Sequence, residues 1–145
     1  MSISHTGAGS SIEAAWIGSL SIAGDFAGDM VLTGGGLPPK GLTLGKVSIK
    51  GALVDSEFLI GGNVGSVRLG TWGAGSILAV GVGAGDDNQF FTADDEAKGG
   101  SLGNVKYRYY DTDNAGEKFG IIADEFLKLS IALPFVDGDF RVQQP

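Results

Sequence analysis

Residues 44–62 read LGKVSIKGALVDSEFLIGG. The opening half alternates. Val47 and Ile49 fall on one side and Lys46, Ser48 and Lys50 on the other, the period-two pattern of a half-buried strand. A turn follows, and then Phe58–Ile60 forms a short apolar run. Four other stretches repeat this plan: IGSLSIAGDFAGDMVLTG from Ile17, VGSVRLGTWGAGSILAVG from Val64, LGNVKYRYYDTDNAGEKFGIIA from Leu102 and FLKLSIALPFVDGDFRV from Phe126. The shared template is an apolar residue, usually a glycine, a polar residue, an alternating strand, a turn and a second apolar strand. Unit starts are 27, 20, 38 and 24 residues apart, a unit of about twenty residues carrying insertions.

The first strands place Leu20/Ile22, Val47/Ile49, Val67/Leu69, Val105/Tyr107 and Leu129/Ile131 inward. The second strands are Met30–Leu32, Phe58–Ile60, Ile77–Val80, Phe119–Ile122 and Phe140–Val142. A two-strand unit of this size cannot bury both of its faces alone. Stacked in register, equivalent residues form apolar ladders and one continuous core. The fold expected is therefore all-β, a short parallel β-helix or solenoid of about five coils, with a β-sandwich as the alternative because short strands and glycine turns suit it too. A single domain spans 1–145, with 1–16 a loose N-terminal segment and 82–101 an acidic inserted loop. No helix is expected beyond one turn at Asp94–Lys98.

Composition supports this and removes several chemistries. Of 145 residues, 26 are glycine, more than twice the usual share of about 7%. The 43% apolar content is too high for a disordered chain. With no cysteine and only His5, a thiol nucleophile, a zinc–thiolate site, an iron–sulfur cluster and a Ser–His–Asp triad are excluded or disfavoured. A net charge of −7 argues against nucleic-acid binding. No run of eighteen apolar residues predicts a membrane span, and MSISHTGAGSSIEAAW lacks the basic and apolar regions of a signal peptide.

The repeat unit, the insert AGDDNQFFTADDE and the ending LKLSIALPFVDGDFRV together resemble the glycine-rich β-helical repeat regions of large bacterial surface and secreted proteins, as in planctomycetes and related bacteria. That resemblance covers residues 17–142. It implies an extracellular or cell-surface location, a structural or adhesive role, and self-association or packing against neighbouring repeats of the same array. It brings no catalytic residues. The tyrosine-rich fourth unit, and Leu127 where the other units have glycine, depart from the pattern and mark a capping region.

Three groups of residues are candidate sites. Asp86, Asp87, Asp94 and Asp95, with Glu96, lie in the insert, where flexible carboxylates suit calcium. Asp111, Asp113 and Glu117 form a second acidic turn; Ile122 stands where an EF-hand needs glutamate, so at most a generic calcium turn is expected. A solvated loop is the plainer reading of both. The third group is the outward side of the first strands, where Lys46, Lys50, Arg68, Lys106, Arg108 and Lys128 give an acidic protein a basic face among Ser19, Ser21, Ser48, Ser66, Asn104 and Ser130. Such a face suits an anionic polysaccharide or an acidic partner; the plainer reading is polar cover for the strands. Phe90 and Phe91 need a partner, which a loop folded over the coil end would supply. Trp16, Trp72, Tyr107, Tyr109 and Tyr110 are expected in core or cap, and Asp137–Asp139 in a hairpin-like turn.

The function expected is a non-catalytic structural or adhesive module, with calcium as a possible stabiliser. The alternative is a polysaccharide-binding or polysaccharide-cleaving β-helix. A lyase would draw on Arg68 or Arg108 as base, and a glycosidase on paired carboxylates. Ice binding ranks last, because the six threonines are scattered.

Overall fold

The computed structural model describes residues 2–3, 9–36, 38–128 and 133–145. His5, Ser130 and the inward pair Leu129/Ile131 lie outside the described residues. Strands alternate between two sheets along the chain. Sheet A contains β1 (Ser2–Ile3), β3 (Ile17–Ile22), β5 (Leu44–Leu53), β7 (Val64–Trp72), β11 (Ser101–Tyr110) and β13 (Glu125–Lys128). Sheet B contains β2 (Ser10–Ala14), β4 (Gly28–Leu32), β6 (Glu57–Ile60), β8 (Ile77–Val80), β12 (Phe119–Ala123), β14 (Phe135–Asp137) and β15 (Phe140–Gln143). All pairings in both sheets are parallel except the terminal β14–β15 hairpin. The chain is thus all-β with parallel sheets, and no α-helix occurs among the described residues.

Register turns the sequence repeat into ladders. In sheet A, Leu20, Val47, Val67 and Val105 align, as do Ile22, Ile49, Leu69 and Tyr107. In sheet B, Met30, Phe58, Leu78, Ile121 and Val142 align in the same way. These side chains meet in one apolar cluster between the sheets. The polar groups inside it are satisfied: Ser56 Oγ accepts from Gly28 N–H and donates to the Val54 carbonyl, while Ser76 Oγ accepts from Ser56 N–H. Trp72, fully buried, donates its indole N–H to the Ser76 carbonyl at 2.9 Å.

Three expectations are corrected. Ser10–Ala14 pairs along its whole length with β4, so this part of the segment expected to be loose belongs to sheet B. Glu96–Ala97 is not helical but forms β10, antiparallel to β9 (Val82–Gly83), and the two close the stem of the insert. Phe91 packs on Ala79 and Ile122, outward residues of β8 and β12, so the insert covers a face of sheet B rather than the end of the stack. That end is closed instead by rings: Phe140 lies 4.9 Å from Tyr110 and 5.6 Å from Phe119, with Trp72, Tyr107 and Phe135 around them. The hairpin expected at Asp137–Asp139 is present, with Gly138 at φ +60 in its two-residue loop.

The glycine of the repeat has a steric cause. Leu44 and Val47 are both buried although three positions apart, so the strand kinks at Gly45–Lys46. A Cβ on Gly45 would overlap the Gly18 carbonyl oxygen, one on Gly65 that of Gly45, and one on Gly103 that of Gly65. Only Gly18, first in this ladder, has open space. Gly45→Ala is therefore expected to cost about 1–3 kcal/mol, as overpacking does, and Gly18→Ala no more than about 0.5 kcal/mol. Urea unfolding midpoints of the two variants check this; equal costs would remove the ladder as the cause.

Candidate functional site

The acidic residues of the insert organise their own loop. Asp94 accepts from the N–H groups of Asp86 and Asp87 and from the Thr92 hydroxyl, and these bonds, the Thr92 hydroxyl foremost, hold its carboxyl below the usual range. Asp95 accepts from Thr92 N–H, and partial burial pushes its carboxyl up. In the other acidic turn, Asp111 accepts from Ala74 N–H and Asp113 from Ala115 N–H, while Glu117 is exposed. Asp139 closes that turn, accepting from Asn114 and Gly116 N–H, which lower its pKa. Among the described residues, no three acidic or histidine side chains are grouped so as to hold a metal ion. The two acidic segments meet at one bond, where Lys118 Nζ donates to the Phe91 carbonyl at 2.8 Å.

The basic residues are brought together. Lys46, Lys50, Arg68, Lys106, Arg108 and Lys128 are all exposed on the outward side of sheet A. Register aligns Ser19, Lys46, Ser66, Asn104 and Lys128 in one row, and Ser21, Ser48, Arg68 and Lys106 in the next. Neighbouring rungs are about 4.8 Å apart. Glu125 is the one acid in the strands of sheet A, whereas the strands of sheet B carry Glu13, Asp29, Glu57 and Asp137 against Arg141. None of the six bases forms an ion pair among the described residues, where Lys98 and Glu96 make the one pair found.

A register shift shapes this face. Between Ile49 and Ala52, β5 bulges against β7. Asp25 Oδ1 takes the Ala52 N–H at 2.7 Å and Gly51 N–H bonds the Gly24 carbonyl, so the bulge is anchored to the chain following β3. Beside it, Ser48, Lys50, Arg68 and Arg108 surround Gly70 and line a groove of about 320 Å³. Bulges commonly re-aim side chains in this manner. Next to Arg108 in the chain, Tyr109 is 71% exposed.

Tyr109 departs from the expectation of core or cap, as does Trp16 at 40% exposure. Tyr107 and Tyr110 both pack inward on Phe140, so Arg108 and Tyr109 must both face out. The signal lay in the neighbouring unit, where Leu69 and Trp72 are likewise three apart and likewise buried. Glu57 was also missed: half-buried on β6, its carboxyl is raised by burial and then by nearby Asp29. No family model matches the chain, and no curated protein or solved structure is significantly similar to it.

The carboxylate shifts set an acid response. A lowered folded pKa means that ionised Asp139 and Asp94 stabilise the fold above the unfolded value of 3.8, and that this contribution is lost as pH falls through the lower folded value. Glu57 and Asp95 act oppositely, since ionising them in the folded state is disfavoured. Asp139→Asn should lower the urea midpoint at pH 7, and the gap from wild type should close as pH drops below 3.8. A gap that persists in acid would mean that shape rather than charge matters at this position.

Proposed function

We propose that the chain is a short β-solenoid and a non-catalytic structural and adhesive module of the kind found in bacterial surface and secreted proteins, working outside the cell. Its basic sheet-A face would bind an anionic polysaccharide. The solenoid reading is supported by the alternation of β1–β8 and of β11–β14 between two mainly parallel sheets and by the aligned apolar ladders.

The observation that carries the binding reading is the set of six exposed bases on one sheet face, without ion-pair partners among the described residues. Three of them (Lys50, Arg68 and Arg108) line a groove, with exposed Tyr109 next to Arg108 in sequence. Ser, Lys and Arg side chains donate hydrogen bonds to carboxylate or sulfate groups. An exposed tyrosine ring offers an apolar surface for a sugar face with little rotamer entropy to lose. Rungs at a regular spacing present these groups periodically, which suits a polymer better than a single small anion.

The test is titration of the protein with polygalacturonate at increasing salt. Saturable binding that weakens as salt screens the face is expected. The double variant Arg68→Glu/Arg108→Glu should bind at least about tenfold more weakly, and Lys40→Glu, in the loop after β4, should bind as wild type does. Equal losses in both would reduce the interaction to net charge.

In and beside the acidic loops, Asp94, Asp111, Asp113 and Asp139 already accept hydrogen bonds within the protein, although Asp95 Oδ1 is buried without a partner among the described residues. Melting temperatures in millimolar calcium and in EDTA are therefore expected to coincide. Occupation of a specific site at one hundred times its dissociation constant would add about 2.7 kcal/mol, a rise of roughly 5–11 °C at this size. Such a rise would turn these loops into metal sites.

A further inference from the structure

On the opposite side of the molecule, the insert, the outward face of sheet B and the turn before β12 enclose a cleft of about 500 Å³. Its floor is Glu57 and Ile77, one wall is Asn88, Gln89 and Phe90, and the other includes Glu117. We propose that this cleft is a second binding site, for an uncharged sugar unit.

The walls are fixed before any ligand arrives. Phe91, 2% exposed, anchors the insert on Ala79 and Ile122, and it does so at φ +67, a backbone region that bulky residues rarely adopt. Strain of this kind persists only where surrounding structure imposes it, and it clusters at functional sites. Asp94 ties the insert together and Asp139 ties the facing turn. The bond from Lys118 Nζ to the Phe91 carbonyl joins the two walls. A pre-formed cavity of several hundred Å³ with a few convergent polar groups is the usual form of a small-ligand site.

The lining selects the ligand. Phe90 and Ile77 give apolar surface for the C–H face of a pyranose. The amides of Asn88 and Gln89 and the carboxylates of Glu57 and Glu117 can donate to and accept from hydroxyl groups. None of these four side chains has a hydrogen-bond partner among the described residues. Two carboxylates, with Asp29 beside Glu57, repel an anion, so this cleft excludes the polymer proposed for sheet A. Lys118, the one base in the lining, is already held by the Phe91 carbonyl.

The experiment is amide chemical-shift mapping of the full chain with neutral hexaoses: β-1,4-linked glucose, mannose, xylose and N-acetylglucosamine oligomers. At least one is expected to give saturable shifts confined to 88–92 and 116–118. Gln89→Ala and Glu117→Gln, both at exposed positions, should weaken binding at least about tenfold while leaving polygalacturonate binding intact. Phe90→Ala should abolish it. The proposal is overturned if no hexaose saturates at 10 mM or if the shifts fall on sheet A around Arg68 and Tyr109. Because the two sites lie on opposite faces, loss of one response without the other distinguishes failure of this proposal from failure of the sheet-A reading.

Discussion

The backbone approach at the glycine ladder of sheet A governs the rest of the molecule. At Gly45, Gly65 and Gly103, the carbonyl of the preceding strand lies where a Cβ would be, so any side chain would push neighbouring strands apart. Each glycine also marks a kink that turns two apolar residues three positions apart toward the same core. Leu44 and Val47, Val64 and Val67, and Leu102 and Val105 all depend on it. Since the kinks align across strands, the residues between them align too, and the row from Ser19 to Lys128 on the outer face results from that register.

Parallel pairing then has a further consequence for charge. In parallel sheets, equivalent positions of successive units lie side by side, so Lys46 and Lys128 fall in one row with serine and asparagine, and Arg68 lies beside Lys106 in the next. The same logic places Asp29 beside Glu57 on sheet B, where their mutual repulsion adds to burial in raising the Glu57 carboxyl. A protein with a formal net charge of −7 thus presents surfaces of opposite character, and net charge alone says little about what each surface can bind.

Much of this was legible in the sequence because strand alternation is local. The inward pairs Leu20/Ile22, Val47/Ile49 and Val67/Leu69 are buried, and Ile77–Val80 is a strand with the bounds read from its apolar run. The outward bases follow from the same alternation. What escaped depends on contacts between distant parts of the chain. Tyr109 breaks alternation because β11 kinks in step with β7. Phe91 found its partner on the outside of sheet B, and no periodicity reports on a partner thirty residues away. Ser10–Ala14 fell within the segment expected to be loose, yet β4 offers it an open edge and five matching register positions. Composition showed the acidic clusters but not that Asp94, Asp111, Asp113 and Asp139 accept backbone N–H groups, which geometry alone reports.

The insert follows from one departure of sheet B from the alternating rule. Along the outer face of that sheet, Val31, Leu59, Ala79 and Ile122 align, an apolar row on the side where sheet A carries serine, lysine and arginine. Left bare, such a row on a parallel sheet would favour association through that face. The longest connection in the chain leaves from β8, next to Ala79, and returns Phe91 to lie on Ala79 and Ile122, both of which become fully buried. Cover is complete only there. Val31, nearer the N-terminal edge, stays 37% exposed, and Ile77 is only partly buried. A loop that covers part of an apolar row leaves a step at its border, and at this step the floor is Ile77 and Glu57. The cleft therefore follows from how the protein protects its outer sheet, and its mixture of apolar floor and polar rim has the same origin.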